Sequence, residues 1–236
     1  MNEKKYELTD ETINIDGHIL HRIKAIRDFD DVKVGELGGF IEKEYNLSHD
    51  NNAWISDNAK VSGNAWISDN AKVYGNAMVY GKSMVSGDAM VYDDAQVYGN
   101  AEVCDYTQIY GTAMVCDNAM VFDNAQVYGC SSIVDHSTVA GDSIICNANI
   151  RGYAKINQNG CIKLNDDYII FDRFGSRLGT TTMFRCSDGI IRVSCGCFSG
   201  TLKEFRNKVG RTYGFNKHAK EYKAIIKVAK VHFNLI

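Results

Sequence analysis

Asn52-Ala-Trp-Ile-Ser-Asp57, Asn58-Ala-Lys-Val-Ser-Gly63 and Asn64-Ala-Trp-Ile-Ser-Asp69 open a run of sixteen six-residue phrases that reaches Asn147 in one frame. The fourth position is Val or Ile in every phrase, from Ile55 through Val97 to Ile145. The second is Ala, Ser or Thr, and the sixth is Gly, Asp or, once, Asn. In an extended segment, side chains two residues apart lie on the same side. Each phrase therefore offers an interior one small and one β-branched residue. Gly or Asp followed by Asn supplies a corner, since these residues tolerate positive φ best. A fixed short period is the mark of a solenoid, and a six-residue one points to a parallel β-helix.

The pattern resembles the hexapeptide-repeat proteins that form left-handed β-helices. That resemblance implies three phrases per triangular coil, hence slightly more than five coils in the unbroken frame. Residues eighteen apart would then stack at the ~4.8 Å strand spacing. Tyr74, Tyr92, Tyr110 and Tyr128 would form one outward column, with Tyr80 and Tyr98 in a shorter one and methionines 78, 84, 90, 114 and 120 between them. Ladder packing alone accounts for such columns. An aromatic and Met-rich face is also what another chain would cover, and a trimer is the family's usual assembly. The tyrosine column is thus the candidate oligomer interface. After Ile145 the next core residues, Ile150 and Ile156, fall one residue out of phase, which predicts the end of regular winding.

Ahead of the repeats, Ile13-Asn-Ile15-Asp-Gly-His18-Ile-Leu20 reads as a hairpin with an Asp16-Gly17 turn. The following Arg22-Ile-Lys-Ala-Ile-Arg-Asp-Phe-Asp-Asp-Val-Lys-Val-Gly-Glu-Leu-Gly-Gly-Phe-Ile41, with Asn46-Leu-Ser48 and Asn52-Ala-Trp-Ile55, closely resembles the entry segment of uncharacterised bacterial and phage hexapeptide-repeat proteins. The resemblance covers roughly residues 20–156. It implies a fold but no settled activity. Its phage-borne members make sequestration of a nucleotide signal, or of a host defence factor, the concrete expectation.

Composition narrows the class further. Proline is absent from the 236 residues, where ~5% usage predicts about a dozen. Stacked strands use nearly every backbone N–H, and proline has none to give. No apolar run approaches the ~20 residues of a membrane span. No secretory pattern follows the first residues, so the eight cysteines read as reduced thiols of a cytoplasmic protein. Charge is sharply divided. Residues 1–51 carry a net −5, residues 52–150 a net −8 and residues 151–236 a net +10. The basic end is expected to meet something anionic, either a ligand or the acidic solenoid of its own or a neighbouring subunit.

Three segments follow: a hairpin and cap over 1–51, a left-handed β-helix over 52–156, and a small basic α+β domain over 157–236. The fold class is mainly β. In the last segment Tyr168-Ile-Ile-Phe171 and residues 180–186 read as strands. Ser187-Asp-Gly-Ile190 reads as a tight turn into residues 191–197. A two-residue turn there would make Arg185 and Arg192 direct cross-strand neighbours and put Phe184, Cys186, Ile191, Val193, Cys195 and Cys197 on one face. Thr201-Leu-Lys-Glu204 has capping-box spacing for a first helix. A second is expected from about Lys217 to Phe233, burying Tyr222, Ile225, Ile226 and Ala229.

The residue types point away from catalysis. Hexapeptide β-helices with known activity are chiefly acyltransferases that use a CoA or carrier-protein thioester with a histidine base. Only His136 lies in the repeats here, at a corner after Asp135, and reads as an ordinary turn residue. It would be the catalytic base if the chain were an acyltransferase. A zinc site of the carbonic-anhydrase branch needs three histidines, which these repeats lack. Cys186 and Cys195-Gly-Cys197 read as core residues rather than metal ligands. No Walker, dinucleotide or nucleophile-elbow motif is present, so neither a cofactor nor a metal is expected. The remaining signal is basic and aromatic. Arg173, Arg177, Arg185, Arg192, Arg211 and Lys217, with Tyr213 as a stacking surface, are the candidate ligand-binding residues. Two adjacent arginines at 185 and 192 would want an anion between them. The expectation is a non-catalytic oligomeric binding protein for a small anionic, nucleotide-type ligand or a protein. The alternatives are the acyltransferase and a purely structural assembly module. A long nucleic acid is disfavoured by the net −13 of the first 150 residues.

Overall fold

The computed structural model of the chain describes residues 3–236. The repeats form a parallel β-solenoid of three faces, each strand pairing with the strand eighteen residues away, as Val73 does with Val91 and Val91 with Ile109. Every Val or Ile of the fourth position from Ile55 to Ile145 is fully buried, and so is the small residue two places before it.

Corners are built by the sixth and first positions. Asp57, Asp69, Asp93, Asp105, Asp117, Asp123 and Asp135 all adopt positive φ, between 55° and 62°. Each then uses its carboxylate on the next coil: Asp57 accepts from the Gly75 N–H at 3.0 Å, Asp93 from Gly111 at 3.1 Å and Asp135 from Gly152 at 2.8 Å. The following position forms a second ladder, in which Asn76 donates to Asp94 at 3.1 Å and Asn124 to Asp142 at 2.9 Å. Asp-Asn at a corner is thus chosen twice over, once for backbone conformation and once for stitching coils together.

The winding runs beyond both ends of the regular frame. Strand Leu37–Ile41 pairs in parallel with Lys60–Val61, placing Ile41 under Val61, and Leu47 bridges to Ile67. At the other end Ile133, Val139 and Ile145 sit beside Ile150, Ile156 and Ile162. The one-residue deletion after Ile145 shortens a corner and leaves the core register intact. About seven turns are present: the unbroken frame supplies the expected five and a fraction, while winding begins before residue 52 and continues past the predicted boundary at 156 to Ile162.

Both ends are sealed. Strands Tyr6–Ile15 and His18–Ala25 form the expected hairpin around Asp16 and Gly17, and extend one solenoid face antiparallel. Tyr6, Phe29 and Trp54 close the first coil edge to face, with Phe29 and Trp54 centroids 5.3 Å apart. The far end is covered by a four-stranded antiparallel sheet, Tyr168–Phe174, Gly179–Arg185, Ile191–Cys195 and Phe198–Thr201, in that order. The last of these strands was not anticipated from sequence. One face of the sheet sends Tyr168, Phe184 and Cys186 into the solenoid core. The other packs Met183, Ile191 and Val193 against helices α1 (Leu202–Tyr213) and α2 (Lys217–His232). The capping box holds: Glu204 N–H donates to Thr201 Oγ1 at 3.2 Å, and Thr201 N–H to Glu204 at 2.8 Å. Tyr222, Ile225, Ile226 and Ala229 are buried as expected.

The hairpin between the second and third strands departs from its predicted register. Its loop has three residues, not two: Cys186 N–H bonds to Ile190 O at 3.0 Å, and Gly189 takes φ +76°. Phe184 therefore faces Arg192, and Arg185 faces Ile191. A one-residue slip turns side chains to the other face. Cys186 and Phe184 look into the solenoid, while Ile191, Val193 and Cys195 look toward the helices. The single Cys/Phe face and the Arg185–Arg192 juxtaposition are both corrected.

Candidate functional site

Three segments of the C-terminal sheet and helices close around a cleft of about 780 Å³. The loop from Asp172 to Thr180 forms one wall, the Gly196-Cys197 turn with Phe198 another, and Lys208, Thr212 and Tyr213 of α1 a third. Tyr153 and Lys155 reach in from the last solenoid turn, so the cleft straddles the junction.

The loop wall has an unusual backbone. Arg173 and Leu178 adopt positive φ, at 58° and 48°, and Gly175 sits at 74°. Positive φ in non-glycine residues is uncommon and tends to occur where the surroundings fix a special geometry. Here a Cβ at Gly175 would overlap the Tyr222 hydroxyl, so glycine lets the loop lie directly on α2. Asp172 and Thr180 clasp the base of the loop through a 2.7 Å hydrogen bond.

The floor is aromatic. Tyr213 and Tyr222 stack with centroids 5.6 Å apart, and Tyr222 meets Phe205 edge to face at 5.4 Å. Burial, then the adjacent Cys195, holds the Tyr222 phenol well above its ordinary range. Thr181 donates to Cys195 Sγ at 3.1 Å, and the Ser176 and Tyr213 hydroxyls meet at 3.0 Å.

The rim is cationic. Arg173, Arg177, Lys155 and Lys208 line the cleft and are exposed, against Asp172 as its one acidic side chain. No ion pair joins any of these four cations to a carboxylate among the described residues. Tyr153, 56% exposed, stacks on His136 with centroids 4.9 Å apart and planes within 6°. His136 is thereby a corner residue at the margin of the cleft rather than in its floor.

The structure divides the sequence candidates. Arg173, Arg177 and Tyr213 come together at the cleft, whereas Arg211 and Lys217 stand outside it. Arg185 and Arg192 lie on opposite faces of the sheet, each with its own carboxylate. Arg185 pairs with Asp167 at 3.1 Å and lies over the Phe233 ring. Arg192 grips Asp188. Lys155, Lys208 and Tyr153 escaped notice in the sequence. Tyr153 and Lys155 lie beyond the phase break after Ile145, and Lys208 is one of several cations on its helix. The tyrosine column stands as expected, with successive centroids 4.8 to 4.9 Å apart from Tyr74 to Tyr128, and Tyr80 on Tyr98 at 4.8 Å.

Among the described residues no three His, Cys, Asp or Glu side chains converge as a metal-binding group, and no helix is long and apolar enough to cross a membrane. No curated protein sequence matches the chain. Within the solenoid, residues 71–85, 85–99 and 113–129 match the family model of the YdcK beta solenoid repeat. That match covers a minority of the chain, and with the parallel winding it makes the protein similar to this β-solenoid repeat family in fold.

Proposed function

We propose that the protein is a non-catalytic binding protein whose junction cleft takes a small anionic ligand with a planar ring, a nucleotide in class. The observation that carries this is the rim of four unpaired cations, Arg173, Arg177, Lys155 and Lys208, over a floor of stacked aromatic rings. Unpaired guanidinium groups suit the oxygens of a phosphate, and Tyr153 or Phe198 offers a face to a base. The volume falls within the ~300–1,000 Å³ usual for small-molecule sites. The tyrosine face of the solenoid serves assembly in the same reading, so the cleft is presented in several copies.

Isothermal titration with mono- and dinucleotides, against the wild type and an Arg173→Ala/Arg177→Ala double variant, tests the proposal. Binding that falls at least tenfold in the variant supports it. A panel that shows no binding at millimolar concentration, or binding indifferent to the double substitution, would overturn it.

A further inference from the structure

Helices α1 and α2 carry nine basic and two acidic side chains between Leu202 and His232. Both carboxylates are occupied: Glu204 by the capping box, Glu221 by His218 at 3.1 Å and Lys217 at 3.6 Å. The other eight cations make no ion pair with any described carboxylate. Lys220, Lys223, Lys227 and Lys230 recur at steps of three and four, which sets them along one stripe of α2. At 1.5 Å per residue the stripe is about 15 Å long. At its head stands Phe215, 89% exposed in the turn between the helices, with Lys223 Nζ 5.3 Å from its ring centre.

A single lysine stripe is ordinarily only a solvated face. Two features set this one apart. The inner faces of both helices bury a complete core, so Phe215 is surplus to folding: its ring reaches no other aromatic ring and lies bare beside cations. The charges are also segregated in space. The sheet separates these helices from the solenoid, so the basic face looks away from the acidic coils. Sheet and helix layers of about 10 Å each exceed the ~8 Å Debye length at physiological salt. The net −13 of the first 150 residues, which disfavours a long polyanion when charge is summed over the sequence, acts weakly at this surface.

We infer that the outer face of α1 and α2 binds single-stranded nucleic acid, with a base stacked on Phe215 and consecutive phosphates along the Lys220–Lys230 stripe. Exposed aromatics flanked by cations are how single strands are held without sequence readout, and the four lysines of the stripe can neutralise about four phosphates. A folded acidic protein would leave Phe215 without a flat partner. An anionic membrane is the other surface a lysine stripe fits, and exposed Val231 follows Lys227 on that stripe, but Val228 is turned off it and Phe215 stands at the opposite end, so the apolar side chains form no continuous face.

Fluorescence anisotropy of the full chain with a labelled twenty-nucleotide oligo-dU tests this at 50 to 200 mM salt. Binding is expected with a log–log salt slope near −3, the value for about four phosphates on a single strand. Phe215→Ala should weaken it about fivefold or more. Lys220→Glu/Lys223→Glu/Lys227→Glu should weaken it more than tenfold and flatten the slope. All four positions are exposed, and unchanged thermal melting would show that the variants fold. Arg173→Ala/Arg177→Ala should leave oligonucleotide affinity within twofold, which separates this surface from the cleft. No binding at 50 mM salt up to 50 µM protein would overturn the inference. So would equal binding by Phe215→Ala, loss of binding in the cleft variant, or capture by phosphatidylserine vesicles in place of the oligonucleotide.

Discussion

Arg192 holds Asp188 through two parallel hydrogen bonds, 3.0 and 2.8 Å long, across the three-residue turn that reverses the C-terminal sheet. Asp188 also accepts the Ile190 N–H at 3.0 Å, so one carboxylate fixes both the turn and the guanidinium beside it. The arginine, then the backbone donor, draws the Asp188 pKa down to about 2. A depressed carboxylate stabilises the fold above its unfolded value near 3.8, and that contribution is lost as pH falls through 2. Arg192→Ala is therefore expected to leave nucleotide binding unchanged, lower thermal stability near neutral pH, and lose its deficit relative to wild type below pH 2. Melting curves over pH 1.5 to 7 check this. Equal stability of the two proteins at pH 7 would show that the pair is idle.

The same turn marks where the sequence stopped being legible. Sixteen phrases in one frame define the solenoid because each repeats the same two demands, a β-branched interior residue and a corner that admits positive φ. An error at Val91 would have to recur at Val73 and Ile109. The hairpin at Asp188-Gly189 has no such redundancy. Two- and three-residue turns suit it equally well, and the difference exchanges the faces of Arg185, Arg192 and Cys186. The end of the winding is hidden in the sequence for a related reason. A deletion after Ile145 breaks the phase in sequence, yet a corner absorbs it and Ile150 still stacks on Ile133. The cleft was half visible. Residue type alone singles out Arg173, Arg177 and Tyr213, but their meeting with Lys155 and Tyr153 depends on how the sheet is set on the last coil.

Phe184 is fully buried at that join, in the solenoid core rather than in the core beneath the helices. Across the join it approaches Gly160, which packs on Ile156 and pairs with Cys186, two residues along from Phe184, in an antiparallel bridge. Removing a buried phenyl ring costs about 3–5 kcal/mol, and here the cavity would open on the solenoid's last edge. Phe184→Ala is expected to lower the melting temperature and to raise amide exchange first in the last turn, around Ile150 and Ile156. Hydrogen exchange confined to the helical layer would show instead that the sheet does not brace the solenoid.

Tyr92 and Tyr110 form the middle of a four-ring column that leaves each ring half-buried. Burial and then the neighbouring phenols push Tyr92 up to about 12. The face offers rings, Met90, Gln108 and Gln126 with few charges, the composition of a contact surface. Tyr92→Lys/Tyr110→Lys would place two ammonium groups one above the other. The double variant is expected to be monomeric by light scattering while retaining its strand signal, with wild type larger. A wild-type monomer, or an oligomer that survives the variant, removes this face from the assembly.

Lys5 closes the first coil from inside. It has no exposed surface, and its ammonium donates to the carbonyls of Ala53 at 2.7 Å and of Asp50 and Asn51 at 3.3 Å. Burial, then Arg27, lowers its pKa from 10.5 to about 8. The folded chain therefore sheds this proton before the unfolded chain does, and between pH 8 and 10.5 the unfolded state binds more protons. Stability is expected to rise with pH across that window. The tyrosines act in the opposite sense: Tyr92 and Tyr98 titrate near 12 when folded, against 10 in the unfolded chain. Their contribution is present below pH 10 and lost as pH climbs through 12. Burial also raises the Cys104 thiol from 9 to about 11 and holds Cys116 and Cys186 up, so the net profile should climb from pH 8, crest near 9 and then fall. Urea midpoints at half-unit intervals, for wild type and Lys5→Met, separate the two effects. The substitution should abolish the climb while leaving the fall, and the difference between the two curves cancels every other group. A climb that persists without Lys5 would place the titrating amine elsewhere.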